Sequence, residues 1–210
     1  MLLCRFIFQA KNKLKNRKKF LVFIESFNLE QMKNVTINDR EFELFIPYEK
    51  IRSIVEEMAE KMNRDFEGKS PLFLCILNGS FMFATEIFKR ISSLDAEISF
   101  IKLASYSGTQ TSGEVKQLIG LNEDLTGRTV VVLEDIVDSG ITIANTIEQI
   151  RAKNPAEIKI ATLLLKPDAL KIKVQLDYVG IEIPNDFIVG YGLDYDRKGR
   201  NLIDIYKVVE

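Results

Sequence analysis

The chain has 210 residues, 46% of them hydrophobic, enough apolar mass for one substantial core. Its 29 basic and 30 acidic side chains give a formal net charge of −1, so no global field favours nucleic acid. There is no histidine, which excludes imidazole acid–base steps, His-ligated metals and His-based triads, and two cysteines make no disulfide framework. Proton transfer in this chain must fall to carboxylates, lysine, tyrosine or water.

The first ~30 residues, MLLCRFIFQAKNKLKNRKKFLVFIESFNLE, place a basic run after a short apolar start. A signal peptide has the reverse order, and no stretch is long enough to span a bilayer. Residues 1–31 are expected to be a leader or poorly ordered extension, with a single domain from Met32; a membrane-surface anchor is the alternative. From Pro47, Ile51, Ile54, Val55, Met58 and Met62 mark one face of an amphipathic helix. PLFLCIL (71–77) reads as a buried strand, with Cys75 a buried reduced thiol. Asn78-Gly79-Ser80 then turns the chain into a helix with Phe81, Ala84, Phe88 and Ile91 on its buried side.

A strand at 97–103 precedes ASYSGTQTSGEVK (104–116), which holds no apolar run to anchor it. A polar loop of that length is functional or disordered. The apolar run Val130 to Leu133 reads as a strand buried on both faces, leading into the acid pair Glu134-Asp135. Asp138-Ser139-Gly140-Ile141-Thr142 follows, then a helix with Ile143, Ile147 and Ile150 at its core and Asn154-Pro155 as its stop. IKIATLLL (158–165) is another strand, ending at Lys166. Alternating elements of this kind give an α/β fold, a mainly parallel twisted sheet with helices on both faces and a core of about 48–165. Residues 166–210, with FIVGYGLDY and IDIYKVV, carry strand character but little helix.

The loop at 134–142 lies at the carboxyl edge of such a sheet, where open α/β proteins bind ligands. Ser139, Gly140 and Thr142 at a helix start let amides and hydroxyls converge on a phosphate. Three carboxylates within five residues oppose one, since like charges ~4 Å apart cost roughly 4 kcal/mol at an effective dielectric of 20. A phosphorylated sugar carrying a metal satisfies both features. The alternative is an ordinary βα turn with solvated acids and a simple cap.

The segment VVVLEDIVDSGIT (130–142) resembles the phosphoribosyl diphosphate (PRPP) binding signature of type I phosphoribosyltransferases. Its surroundings over roughly 35–210 are similar to the hypoxanthine-guanine branch of that family. The resemblance implies that 166–210, with 35–47, forms a small hood over the sheet edge. It further implies Mg²⁺-dependent transfer of the 5-phosphoribosyl group from PRPP to N9 of a 6-oxopurine, giving IMP or GMP and pyrophosphate in purine salvage.

Residue by residue, Glu134 and Asp135 would orient ribose and hold metal. Ser139, Gly140, Ile141 and Thr142 would grip phosphate, and Asp138 would take or share the proton at purine N7. Asn78 and Gly79 match the pyrophosphate loop, where the family has an unusual peptide geometry before the glycine and some members carry lysine instead of Asn78. Lys102 and Arg200 match pyrophosphate-binding cations, and Ser105-Tyr106 matches a mobile lid that excludes water. Lys166 would donate to the purine O6; on its own it reads as a lysine snorkelling from a strand end. Phe187 would stack on the base, Ile188 would offer backbone groups to its Watson–Crick edge, and Asp194 would face Mg²⁺. A cytoplasmic homodimer or homotetramer is implied, with small-molecule substrates and neither nucleic acid nor membrane as partner. The competing readings are a PRPP-sensing regulatory protein of the same fold and a transferase for another base. Balanced charge and Lys166 weigh against them.

Overall fold

The structure is a computed structural model that describes residues 34–103, 117–119 and 121–209. The expectations for the leader and for Ser105 and Tyr106 lie outside the described residues. Within them the strands are β1 (Asn34–Ile37), β2 (Arg40–Ile46), β3 (Leu72–Leu77), β4 (Glu97–Leu103), β5 (Gln117–Ile119), β6 (Thr129–Val137), β7 (Glu157–Leu165), β8 (Tyr178–Glu182), β9 (Ile188–Val189) and β10 (Ile205–Val208). The helices are α1 (Tyr48–Asp65), α2 (Phe81–Phe88) and α3 (Ile141–Arg151).

Six strands form one sheet in the order β5-β4-β3-β6-β7-β8. The β4-β3-β6-β7-β8 pairs are all parallel, and β5 closes one edge antiparallel. Alternation of side chains along the strands separates two apolar layers. Phe73, Cys75, Val131, Leu133 and Ala161 face α1 and α2. Leu72, Leu74, Val130, Val132 and Ile160 face α3. A sheet covered on both faces explains why its central strands read as unbroken apolar runs. Cys75 is buried with a free thiol that burial pushes up to about 11, so it stays protonated.

The expected amphipathic faces of α1 and α3 are observed: Ile51, Val55, Met58 and Met62 are buried on α1, and Ile143, Ile147 and Ile150 on α3. Helix α2 differs. Its buried stripe runs through Phe83, Ala84 and Ile87, so Phe81 is 39% exposed, and Ile91 lies beyond the helix end. Strand β6 runs past the apolar tetrad, because its pairing with β7 continues to Val137 opposite Leu165. Glu134 and Asp135 therefore sit inside a strand rather than beyond it.

The hood is a separate antiparallel sheet in the order β1-β2-β10-β9. Phe42, Val189, Tyr206 and Ile37 form its own small core. Strand β8 does not belong to it: Tyr178–Glu182 extends the parallel sheet beside β7, so the hood begins later than residue 166. Ile46, Ile188, Tyr191 and Ile205 join the hood to the main apolar layer. A polar tie adds to this, since the Tyr48 amide at the start of α1 donates to Asp204 Oδ1 at 2.7 Å. Pro47 offers no side-chain cap there, and the hood carboxylate replaces it. Among the described residues no helix is long and apolar enough to cross a membrane.

Candidate active site

Because β3, β6 and β7 are parallel, Leu77, Val137 and Leu165 end at one edge, and the hood stands over it. Between them lies a cavity of about 700 Å³. Its walls are Asn78 and Gly79 after β3, Glu134 and Asp135 in β6, Asp138, Ser139, Ile141 and Thr142 at the head of α3, and Lys166 after β7. Phe187, Ile188, Asp194 and Arg200 close it from the hood. A smaller cavity of about 260 Å³ adjoins the turn at Asp138, Ser139, Gly140 and Thr142.

That turn leaves backbone amides open at the head of α3. Gly140 has φ +78°, and a Cβ there would come within 2.5 Å of the Ile172 carbonyl oxygen, so only glycine fits. The Ser139 carbonyl accepts from the amides of Lys171 at 3.0 Å and Ile172 at 3.1 Å, which fixes the turn from behind. Ser139 Oγ lies 3.4 Å from the Ile141 amide, and no side chain caps the helix from its N-cap position. The amides of the first turn, Thr142 among them, have no acceptor within α3 and carry the positive end of its dipole.

Glu134 and Asp135 are 9% and 8% exposed and hydrogen-bond to one another. Burial raises the pKa of both; the adjacent acid raises Glu134 further, while hydrogen bonds from Glu134 and the Ile136 amide, and last Arg200, partly offset the rise of Asp135. Glu134 Oε2 is fully buried with no hydrogen-bond partner. Such an orphan acceptor is costly unless something arrives to use it. Asp135 Oδ2 lies where a Cβ of residue 79 would be, only 1.6 Å from that ideal position, so the acid closes against a glycine backbone. The Leu77–Asn78 peptide is cis, the unusual geometry expected before Gly79.

Lys166 is 8% exposed, and its Nζ lies 3.5 Å from Asp138 Oδ2. Its amide donates to the Val137 carbonyl at 2.9 Å, so the lysine stands directly over the β6–β7 seam. Phe187 is 41% exposed; its ring packs at 5.7 Å from Tyr195 and 6.2 Å from Phe42. Strand β9 is the hood's edge, and Val208 N donates to Phe187 O at 2.9 Å. Antiparallel alternation therefore turns the Ile188 N–H and C=O toward the unpaired edge.

Arg200 donates to the Gly192 carbonyl at 2.7 Å and pairs with Asp194 at 2.6 Å, and Asp194 also accepts from the Arg197 amide. The structure does not bring every expected residue to the cavity. Lys102 pairs in register with Leu77, beside the pyrophosphate-type turn, but does not line the cavity. Nor do Asp194, Glu134 and Asp135 form a ready metal cage: among the described residues no cluster of three or more His, Cys, Asp or Glu side chains could enclose an ion. Asp194 is occupied by Arg200, and the two β6 acids face each other. The donor set still fits Mg²⁺, a hard cation bound through one or two carboxylates plus substrate oxygens rather than an all-protein cage.

Two residues were missed from sequence. Asn145 lines the cavity one turn beyond Ile141, and Gly192, with φ +101°, lies directly against Gly79. The i, i+4 spacing of Ile141 and Asn145 was a signal for the first. The second is a tertiary contact that no local pattern encodes.

Residues 47–196 match the family model described as "Phosphoribosyl transferase domain". The chain belongs to the phosphoribosyltransferase family. It is 39% identical over 155 residues to a hypoxanthine-guanine phosphoribosyltransferase of Streptococcus thermophilus, covering 73% of this chain and 86% of that one. It is 38% identical over 160 residues to the bifunctional protein TilS/HprT of Listeria monocytogenes, covering 76% of this chain. The chain spans about a quarter, 24%, of the length of that relative. Among solved structures, a hypoxanthine-guanine phosphoribosyltransferase from Bacillus anthracis superposes with a TM-score of 0.74 at 39% identity, over 80% of this chain and 97% of that one. A hypoxanthine phosphoribosyltransferase from Staphylococcus aureus gives 0.75 at 34% identity, over 80% and 91%.

Proposed function

We propose that the chain is a hypoxanthine-guanine phosphoribosyltransferase of purine salvage, transferring the 5-phosphoribosyl group of PRPP to N9 of a 6-oxopurine and releasing pyrophosphate. The observation that carries this reading is the pairing of Lys166 with Asp138 at 3.5 Å on the cavity wall that also holds the phosphate turn.

A buried ammonium has three donors and no acceptor, so Lys166 suits a 6-oxo group and opposes the 6-amino group of adenine. Asp138, 56% exposed in its side chain, reaches the same position and takes or shares the proton at purine N7 as N9 bonds to the sugar. Phe187 offers a ring face for stacking, and the edge-facing N–H and C=O of Ile188 read the other side of the base. The amides after Gly140, with Ser139 and Thr142, hold the 5′-phosphate, and Glu134 and Asp135 orient the ribose hydroxyls.

Cleavage at C1 of the sugar develops positive charge on the ring and negative charge on the departing pyrophosphate. The Asn78–Gly79 turn and Arg200 gather the latter. When bound, Mg²⁺ adds charge stabilisation at the pyrophosphate oxygens, and Glu134, Asp135 and Asp194 are the residues that would hold it. The enzyme acts in the cytoplasm as a homodimer or homotetramer.

Pyrophosphate release should be measured with PRPP, Mg²⁺ and one base at a time. Hypoxanthine and guanine should support turnover, with adenine and uracil at background. Release with adenine alone, or with no base at all, overturns the reading.

A further inference from the structure

Phe187 lines the cavity although it is 41% exposed, and it stands just before an edge strand of only two residues. A ring so placed has rotamer freedom that stacking on a planar ligand must remove. The hood supplies a brace against it. Arg40 and Phe42, two apart on β2, point to the same face of that strand. The Arg40 guanidinium carbon stands over the Phe187 ring, 5.9 Å from its centroid, and over the Tyr195 ring at 5.2 Å. Phe42, fully buried, packs at 6.2 Å from Phe187 and 6.1 Å from Tyr195. Tyr195 and Phe187 meet in a T-shaped pair at 5.7 Å.

The guanidinium has its own support. Arg40 pairs in register with Ile37 across the β1–β2 turn at Asn38 and Asp39. That turn is tied to the segment after the hood's edge strand: the Tyr195 hydroxyl donates to Asp39 Oδ1 and Lys198 Nζ donates to Asn38 Oδ1, each at 2.7 Å. Phe187 is among the cavity's walls, whereas Arg40, Phe42 and Tyr195 are not. The cluster therefore touches the ring without taking the space a ligand would fill.

We propose that Arg40 is a positioning residue for the purine: its guanidinium, seated over Phe187 and Tyr195, fixes the angle at which the Phe187 ring meets a stacked base. This rests on the transferase reading above and adds to it a residue that acts only through another. A cation over an aromatic face is attracted by the ring's quadrupole, and a planar guanidinium can also stack there. Because Tyr195 shares the same cation, the stacking ring is coupled to the β1–β2 turn rather than left to its own rotamers.

Arg40→Gln removes the charge and keeps much of the reach, while Arg40→Lys keeps the charge. An exposed contact of this kind corresponds to about two- to fivefold in affinity, so Arg40→Gln should raise KM for hypoxanthine and guanine by that factor. KM for PRPP should not change, the split that separates ring placement from general loss of fold. Arg40→Lys should lie between wild type and the glutamine variant. A double-mutant cycle isolates the cause: in a Phe187→Leu background, Arg40→Gln should add no further rise, since no ring remains to be held. All values are read on the full chain by steady-state pyrophosphate release, with denaturant titration showing each variant folded. An unchanged KM for both purines in Arg40→Gln, an equal rise in KM for PRPP, a lysine variant no better than glutamine, or the same rise in the Phe187→Leu background overturns the inference. A glutamine variant too unstable to fold is replaced by Arg40→Thr under the same criteria. If the wild-type chain turns over no purine, the transferase reading itself fails, a separate outcome.

Discussion

The two halves of the cavity are held in opposite ways. The floor, Glu134 to Thr142, belongs to the central strand of a parallel sheet and the head of α3, with both faces of that sheet packed. The roof, Phe187 to Arg200, hangs from a two-residue edge strand and a turn with three left-handed residues. The floor lies in a hydrogen-bonded sheet packed on both faces, while the roof combines a few buried anchors, Ile188 and Tyr191, with a dense set of turn hydrogen bonds. Under the proposed function, chemistry that needs buried charge would lie below, and recognition that needs backbone edges and an exposed ring would lie above.

The largest effect should come from the floor. Asp138→Asn keeps the shape of a half-exposed side chain but removes its basicity, so turnover should fall about 10²–10⁴-fold, the range of general acid–base steps. Thermal stability should hardly change; near-native kcat would break the assignment. Next comes the lysine beside the floor. Lys166→Ala should cost about 1–3 kcal/mol in binding hypoxanthine and guanine, the worth of a hydrogen bond to a charged group. Calorimetric titration with base analogues checks it, and PRPP affinity should be retained.

Glu134→Gln tests whether the floor carries strain. The folded-state pKa of Glu134 is raised, so the protonated acid is compatible with the fold and its ionised form is penalised. The wild-type chain should lose stability as pH rises from the ordinary carboxylate range toward the raised folded value, because the unfolded state then binds fewer protons. The glutamine variant should melt above wild type at high pH, by an amount of about 1–3 kcal/mol set by the unsatisfied group, and the gap should close at low pH. A gap that widens as pH falls would contradict the buried pair. The smallest effect belongs to the joint between the halves. Asp204→Ala removes the acceptor at the start of α1 and should cost about 1 kcal/mol of stability, measured by denaturant titration.

The floor was legible in the residue pattern itself, whereas the roof residues Phe187, Ile188, Asp194 and Arg200 were reached only through the family resemblance, for physical reasons. Apolar runs at 71–77, 130–133 and 158–165 announce strands buried on both faces, and Ile143, Ile147 and Ile150 announce their helix. Lys166 and Asp138 were both readable as site residues, and their meeting follows from parallel pairing of β6 and β7. The end of β6 was missed because Glu134 and Asp135 break the apolar pattern while the hydrogen-bond ladder continues. Strand β8, YVGIE, lacks a long apolar run and looked like part of the hood; only its pairing with β7 places it. The exposed Phe81 shows the limit of periodicity in an eight-residue helix, where one position decides which side faces in.

Under the proposed function, the free edge of β9 has a consequence for how a base would be held. Most exposed strand margins are hazards, since an unpaired row of amides and carbonyls invites another polypeptide. At two residues, this margin is too short to recruit one. It leaves a single N–H and C=O outward at Ile188, a number that suits one planar heterocycle. A nucleobase settling there would behave as a one-rung neighbour to the antiparallel ladder, completing the hood sheet for as long as it stayed.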